Sequence, residues 1–187
     1  MAILVTGGAG YIGSVTVERL TAKGESIVVL DDLAYGHLES IDSDIPFYQG
    51  SAGDRTLVTR IAREHEIESC MHFAGLAYVA ESVEKPALYF ENNVQQGISL
   101  VSALMDAGVR RFIFSSSCTV YGEQEKSPIG EDCPQWPKNP YGWTKFTLES
   151  TELSAAQRRV QHPSRASSFG RAAYAFGLWS AHCLDSG

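Results

Sequence analysis

The sequence predicts an α/β fold, a doubly wound parallel sheet flanked by helices. Three observations carry that expectation. Short apolar runs alternate with longer amphipathic stretches through the first three quarters of the chain, the pattern of repeated strand–helix units. A glycine-rich turn joins the first run to the first amphipathic stretch. A length of 187 residues with 44% hydrophobic and 20% charged side chains suits one globular domain with a core of its own.

In chain order, the first strand is expected at Ala2 to Thr6, an unbroken apolar run. Ile12 to Lys23 follows with apolar residues at helical spacing and stops near Gly24, a residue suited to ending a helix. Ser26 to Asp31 and Pro46 to Gly50 read as the second and third strands. Asp54 to His65 is a helix that stops near Ile67, and Ser69 to Ala74 is the fourth strand. Pro86 to Ala107 carries the longest helical pattern and ends near Gly108, before a fifth strand at Arg111 to Ser117. A further helix starts at Asn139, because Pro140 suits a first helical turn. Right-handed crossovers between such strands make them all parallel and bring ligands to their carboxyl ends. There is no internal repeat and no low-complexity block.

The balance of 15 basic and 22 acidic residues, a net charge of −7, argues against a general phosphate-backbone binder. Nucleic acid is therefore not an expected partner. No apolar run approaches the roughly 20 residues that span a bilayer, and the opening Met-Ala-Ile-Leu-Val-Thr lacks a charged leader. The expectation is a soluble, cytoplasmic protein with no membrane partner. Cys70, Cys118, Cys133 and Cys183 are widely spaced, so neither a zinc site nor a disulfide framework is signalled, and thiols in a reducing compartment are expected.

Ser154 to Gly187 differ from the rest. They hold four Arg, one Asp and no Lys or Glu, a charge of +3, whereas residues 1–153 hold 11 basic and 21 acidic residues, a charge of −10. Val160 is their only β-branched aliphatic residue, so no sixth strand is recognisable there. The chain divides on this basis into a strand–helix domain, 1–153, and an Arg-, Ser- and Ala-rich tail, 154–187. The fold reads as truncated after the helix that starts at Asn139. Three origins stay open: a variable segment with an apolar helix over Phe169 to Trp179, a change of reading frame or gene truncation, and an engineered tail.

Chemistry enters at Thr6-Gly7-Gly8-Ala9-Gly10-Tyr11-Ile12-Gly13, between the first strand and the first helix. In this G-x-x-G-x-x-G spacing Gly7 permits the tight turn, Gly10 lets the backbone approach a pyrophosphate, and Gly13 lets the helix pack on the sheet. The helix start adds unpaired N–H groups and a positive dipole end. Asp31 closes the second strand 18 residues after Gly13, near the distance at which a carboxylate meets the adenosine ribose hydroxyls. A carboxylate there repels a 2′-phosphate, and no Arg or Lys lies between Gly24 and Arg55, so NAD is favoured over NADP. Asp32 adds to the repulsion or is a solvated turn residue.

A second constellation is Tyr141-Gly142-Trp143-Thr144-Lys145, preceded by Ser115-Ser116-Ser117 at the end of the fifth strand. Tyr141 and Lys145, four apart, share one helix face. A phenol with a pKa of about 10 is a poor base at neutral pH, and a nearby ammonium with a positive nicotinamide ring would lower it. Ser117 could hydrogen-bond the same substrate hydroxyl. Taken with the dinucleotide turn, these residues describe a hydride-transfer site.

The sequence resembles the extended short-chain dehydrogenase/reductases, and more closely the UDP-glucose 4-epimerases and related nucleotide-sugar 4-epimerases. The matching stretches are T-G-G-A-G-Y-I-G (6–13), V-L-D-D-L-A-Y-G-H (29–37), M-H-F-A-G-L-A-Y-V-A-E-S-V (71–83), N-N-V (92–94), F-S-S-S-C-T-V-Y-G (114–122) and N-P-Y-G-W-T-K (139–145). They lie in the family's order and span about half of a typical member. The resemblance implies a Rossmann-like fold in which Tyr141 is the catalytic base, Lys145 lowers its pKa and holds the nicotinamide ribose, and Ser117 positions the sugar 4-hydroxyl. It also implies that Asn92 and the turn Phe73-Ala74-Gly75 lie at the cofactor, and that Tyr11 and Ile12 flank the pyrophosphate through backbone N–H groups. In such enzymes NAD takes hydride from sugar C4, the 4-keto sugar rotates, and hydride returns to the opposite face. Members commonly form homodimers through helices matching Pro86 to Ala107 and Asn139 to Ser154.

Departures from the family pattern carry expectations of their own. Ala77 stands where many members have a cofactor-contacting Lys, and Gly50-Ser51-Ala52 stands where they have Gly-Asp-Ile or Gly-Asp-Val, so NAD is expected to be held less tightly. Cys118 replaces a usual Ala and is expected to be a buried, inert thiol. No Arg-Tyr-Phe-Asn segment follows the catalytic helix, and the part that grips the UDP moiety is missing. Three functions remain in view: a nucleotide-sugar 4-epimerase, a dinucleotide-binding module without catalysis, and a minimal NAD-dependent oxidoreductase acting on a small carbonyl compound.

Overall fold

The computed structural model describes residues 1–125 and 127–160, with residues 152–160 as backbone alone. The five expected strands form as β1 (Ala2–Thr6), β2 (Ile27–Asp31), β3 (Phe47–Gln49), β4 (Ile67–His72) and β5 (Arg111–Phe114). They make one sheet of order β3-β2-β1-β4-β5 in which every neighbouring pair is parallel. Parallel neighbours need crossovers, supplied by α1 (Tyr11–Thr21) between β1 and β2, by α2 (Arg55–Glu64) between β3 and β4, and by a helical run between β4 and β5. α2 starts where its sequence says it should, with the Asp54 carboxylate accepting the Leu57 amide at 3.0 Å.

The central strands β1 and β2 are buried on both faces, which is why they read as continuous apolar runs. Successive residues point to opposite sides: Leu4, Val28, Leu30 and Cys70 pack beneath Val58 and Ile61 of α2, with Leu100 and Leu104 of the fifth helix. Val5, Val29 and Ile27 pack on the other side against Val17 of α1.

The helical run before β5 differs from the single helix expected over Pro86 to Ala107. It begins and ends within a residue of that span but consists of α4 (Pro86–Tyr89), a π-helical turn (Phe90–Gln95) and α5 (Gln96–Asp106). Apolar spacing reports the face of a helix and is blind to one extra residue within a turn. It also missed α3 (Val79–Glu84), which at six residues is too short to show a period. The last described element, α6 (Pro140–Val160), starts as expected and runs through residues 153 and 154, where the sequence alone divides the chain. The helix expected over Phe169 to Trp179 lies outside the described residues. No described helix is long and apolar enough to cross a membrane.

Candidate active site

The loops at the carboxyl ends of β1, β2 and β4 enclose a cleft. The glycine turn forms its floor. Gly7 has φ +72°, and a Cβ there would overlap the backbone of Phe73 and Ala74; a Cβ on Gly13 would overlap the Gly7 carbonyl. These two glycines let α1, β1 and the loop after β4 meet. Gly10 is different: a Cβ there meets only the Gly7 oxygen, at 3.3 Å, and the residue lines the cleft. No side chain caps the start of α1, so its first amides remain available to a ligand. The side chains of Tyr11 and Ile12 are 80% and 52% exposed and do not line the cleft.

Asp31 is buried at the end of β2. Its Oδ2 accepts the Ala9 amide at 2.9 Å and its Oδ1 accepts the Leu33 amide at 2.8 Å, so the carboxylate is held against the glycine turn. Each oxygen keeps a further lone pair for a ribose hydroxyl. Asp32 lines the cleft as well and accepts the Ala34 amide at 2.9 Å.

Across the cleft, Phe73, Ala74, Gly75 and Asn92 line the wall together with Gln96. The residues after β3 also reach it: Gly50 and Ala52 are lining residues, while Ser51 donates to the Gln96 amide oxygen at 2.9 Å. The next asparagine has a separate task. Asn93 is buried, accepts the Leu76 amide at 2.8 Å, and donates to the Leu76 carbonyl at 2.9 Å and to the Thr144 hydroxyl at 3.1 Å. It fastens the loop after β4 to α6.

β5 ends at Phe114, so Ser115–Ser117 leave the sheet as a loop that meets α6. Lys145 is buried, donates to the Ser115 carbonyl at 2.9 Å, and lies 4.7 Å from the Phe114 ring centroid and 5.8 Å from that of Tyr141. A Cβ on Gly75 would come 3.8 Å from Lys145 Nζ, which places the ammonium beside the cleft. Ser117 Oγ accepts from the Thr119 amide and hydroxyl at 3.3 and 2.9 Å, leaving its own proton for the Tyr141 phenol.

The phenol departs from the sequence expectation. Burial raises the Tyr141 pKa above its ordinary value, the Ser117 hydrogen bond lowers it, and the Cys118 thiol raises it again; burial is the largest influence. Lys145 acts visibly elsewhere. His72, at the end of β4, is pushed down to about 3, first by burial and then by the Lys145 charge. Cys118 is exposed rather than buried.

Sequence reasoning singled out Ser117, Tyr141 and Lys145, which the structure brings together at the entry to α6, and missed the buried polar groups around them: Asn93, Thr144, Ser82 and His72. One signal for Asn93 was present, because it shares the helical face of Gly97, Leu100 and Leu104, all buried. A polar residue in register with a buried apolar stripe has partners waiting for it.

A parallel sheet with a glycine turn after β1, a carboxylate ending β2 and a lysine beside the cleft that packs with a Tyr and a Ser is the architecture of a dinucleotide-binding protein of the short-chain dehydrogenase/reductase kind. The model of the NAD dependent epimerase/dehydratase family matches residues 3–162, and the chain belongs to that family. It is 48% identical over 149 residues to the UDP-glucose 4-epimerase of Lactobacillus helveticus, covering 80% of this chain and 45% of that protein. To the Bacillus subtilis UDP-glucose 4-epimerase it is 44% identical, covering 91% and 55%. Among solved structures, the Stenotrophomonas maltophila UDP-glucose-4-epimerase with bound NAD and formylated UDP-arabinopyranose superposes with a TM-score of 0.83 at 36% identity, over 85% of this chain and 49% of that one. The chain thus spans about half the length of the curated relatives it matches.

Proposed function

We propose that the chain binds NAD in this cleft and is the cofactor-binding, proton-transferring part of a UDP-glucose 4-epimerase-like protein. One observation carries the reading: Asp31 and Gly75 line the same cleft, and Lys145 Nζ lies 3.8 Å from where a Cβ on Gly75 would sit, so one ligand in the cleft can reach both. The residues fit an NAD molecule. Asp31 would take the adenosine ribose, Gly7, Gly10 and the amides of Tyr11, Ile12 and Gly13 the pyrophosphate, and Phe73, Ala74, Gly75 and Asn92 the far half. Tyr141 and Lys145 would take the nicotinamide ribose. When bound, NAD supplies a hydride acceptor and donor.

The chain supplies the proton chemistry. Ser117 donates to the Tyr141 oxygen and so favours the phenolate, and a sugar 4-hydroxyl placed between the two gives its proton to Tyr141 and recovers it on the way back. The buried Lys145 keeps a positive charge within reach of that exchange. The UDP-sugar is the substrate this arrangement suits. Exposed Leu88, Phe90 and Ile98 on the run from α4 to α5 suit a homodimer, and the described cysteines, none of them in a disulfide, suit the cytoplasm.

Calorimetric titration tests the reading. NAD is expected to bind, and NADP to bind at least about tenfold more weakly, because Asp31 faces the 2′ position without a basic neighbour. Asp31→Ala is expected to weaken NAD and abolish the discrimination. Equal affinity for both cofactors in the unaltered chain would remove Asp31 from the ribose.

A further inference from the structure

We propose that Ser82 is a positioning residue for the side chain of Tyr141, acting through that residue's backbone amide. The inference rests on the reading of Tyr141 as the proton-transfer group. Ser82 is fully buried in α3. Its hydroxyl donates to the Val79 carbonyl at 2.6 Å and accepts the Tyr141 amide at 3.2 Å. A serine hydroxyl has one proton, and with that proton committed to Val79 its lone pairs face Tyr141.

The amide concerned is one of those at a helix start with no carbonyl a turn earlier to receive it. Neighbouring amides find partners within the entry to α6: Asn139 Oδ1 accepts Gly142 at 2.8 Å and the Asn139 carbonyl accepts Trp143 at 3.1 Å. For Tyr141 the partner comes from another element. A second contact from the same region acts on the ring. Tyr89 donates to Glu81 of α3 at 3.0 Å, accepts the Tyr78 amide at 3.1 Å, and meets the Tyr141 ring edge-on, 6.5 Å between centroids at 86°. The backbone of Tyr141 is thus held from α3, and its ring from Tyr89 of α4, itself tied to Glu81 of α3; α3 follows directly on the cleft-lining loop that ends at Leu76. The phenol keeps its place relative to the cleft because α3 keeps its own.

The test is a site-resolved titration of Tyr141 in the ligand-free full chain carrying ¹³Cζ-tyrosine, with the resonance assigned by its loss in Tyr141→Phe. The groups facing the phenol are Ser117 and Cys118 from the loop after β5, Lys145 from α6 and Tyr89 from α4. In Ser82→Ala the first turn of α6 loosens and the phenol draws away from the Ser117 proton, so the titration midpoint is expected to rise by about half a pH unit or more. Ser82→Thr keeps the hydroxyl and is expected to titrate as the unaltered chain does. Should the alanine variant fail to fold, Ser82→Cys fills the same space with a much weaker acceptor and is expected to show the same rise against Ser82→Thr. A midpoint unchanged in the alanine or cysteine variant, even with a lowered melting temperature, would overturn the proposal and leave Ser82 a plain helix cap. Because no cofactor or sugar is present, this outcome is independent of the NAD titration, and the two readings can fail separately.

Discussion

Thr6 and His72 are register partners in the β1–β4 ladder, and their side chains share a hydrogen bond of 2.6 Å at the head of the cleft. The imidazole is 3% exposed, stacked on Phe114 with 5.8 Å between centroids, and within the field of the Lys145 ammonium. It is therefore neutral in the folded chain at any pH near neutrality.

Stability is expected to depend on pH through this residue. Its pKa is about 3 in the fold against 6.5 in the unfolded chain, so between those values the unfolded state holds the extra proton. His72 leaves stability unchanged above about pH 6.5 and lowers it progressively as the pH falls, by about 2 kcal/mol at pH 5. Urea denaturation of the unaltered chain and of His72→Gln at pH 7, 6 and 5 checks this. Parallel losses in the two proteins would show that His72 has no part in the dependence.

The 187-residue chain assayed as it stands is expected to interconvert UDP-glucose and UDP-galactose at a negligible rate, although Ser117, Tyr141 and Lys145 are in place. Proton abstraction needs the sugar hydroxyl about 3 Å from the phenol, and remote binding energy is what holds it there. The chain spans only 45% of a relative with that activity in its name. A coupled assay showing sustained turnover that Tyr141→Phe abolishes would contradict this.

Three consecutive serines at the end of β5 are expected to answer differently to alanine. Ser116 Oγ is buried with no hydrogen-bond partner, so Ser116→Ala should leave stability unchanged or raise it by about 1 kcal/mol. Ser117 caps the 3₁₀ turn Cys118–Tyr121 by accepting the Thr119 amide, and Ser117→Ala should lower stability by about 0.5–1 kcal/mol. Chemical denaturation separates the two, and a clear loss in Ser116→Ala would mean that its hydroxyl has an essential partner.

Glu66 is exposed and has φ +49° between α2 and β4. A left-handed conformation costs a non-glycine residue roughly 1 kcal/mol, partly offset in glycine by its greater freedom when unfolded. Glu66→Gly is expected to raise the unfolding free energy by roughly 0.5 kcal/mol. A loss measured by thermal or urea unfolding would show that the Glu66 side chain contributes more than its backbone costs.

The layers of the fold were open to sequence reading because burial on both faces writes the central strands β1 and β2 as apolar runs, as at Ile27–Asp31. The glycine turn was readable because Gly7 and Gly13 are demanded by close approach. The trio Ser117, Tyr141 and Lys145 was expected from chemistry, because few side chains can serve as a base of that kind, and the structure brings the three side by side. What stayed hidden depends on contacts between distant segments. Ser82 and Tyr141 are 59 positions apart and Asn93 and Thr144 are 51 apart, and no local pattern marks a hydroxyl or amide as someone else's partner. The exposure of Cys118 was misjudged for a related reason, since residues after β5 leave the sheet and lose the burial its strand would have provided. The Tyr141 phenol was expected to be lowered by Lys145 together with a nicotinamide ring, and depth of burial, which four-residue spacing does not report, acts the other way.

Among the described strands, the first in the chain is the middle one of the sheet. β1 pairs on one side with β2 and on the other with β4, so it takes both partners from later in the chain, first 27–31 and then 67–72. A nascent chain halted between those two could build α1 against β1 and β2 and hold Asp31 in place. It would lack the whole opposite wall, from His72 to Leu76. The two walls of the cleft therefore meet only when β4 docks on β1.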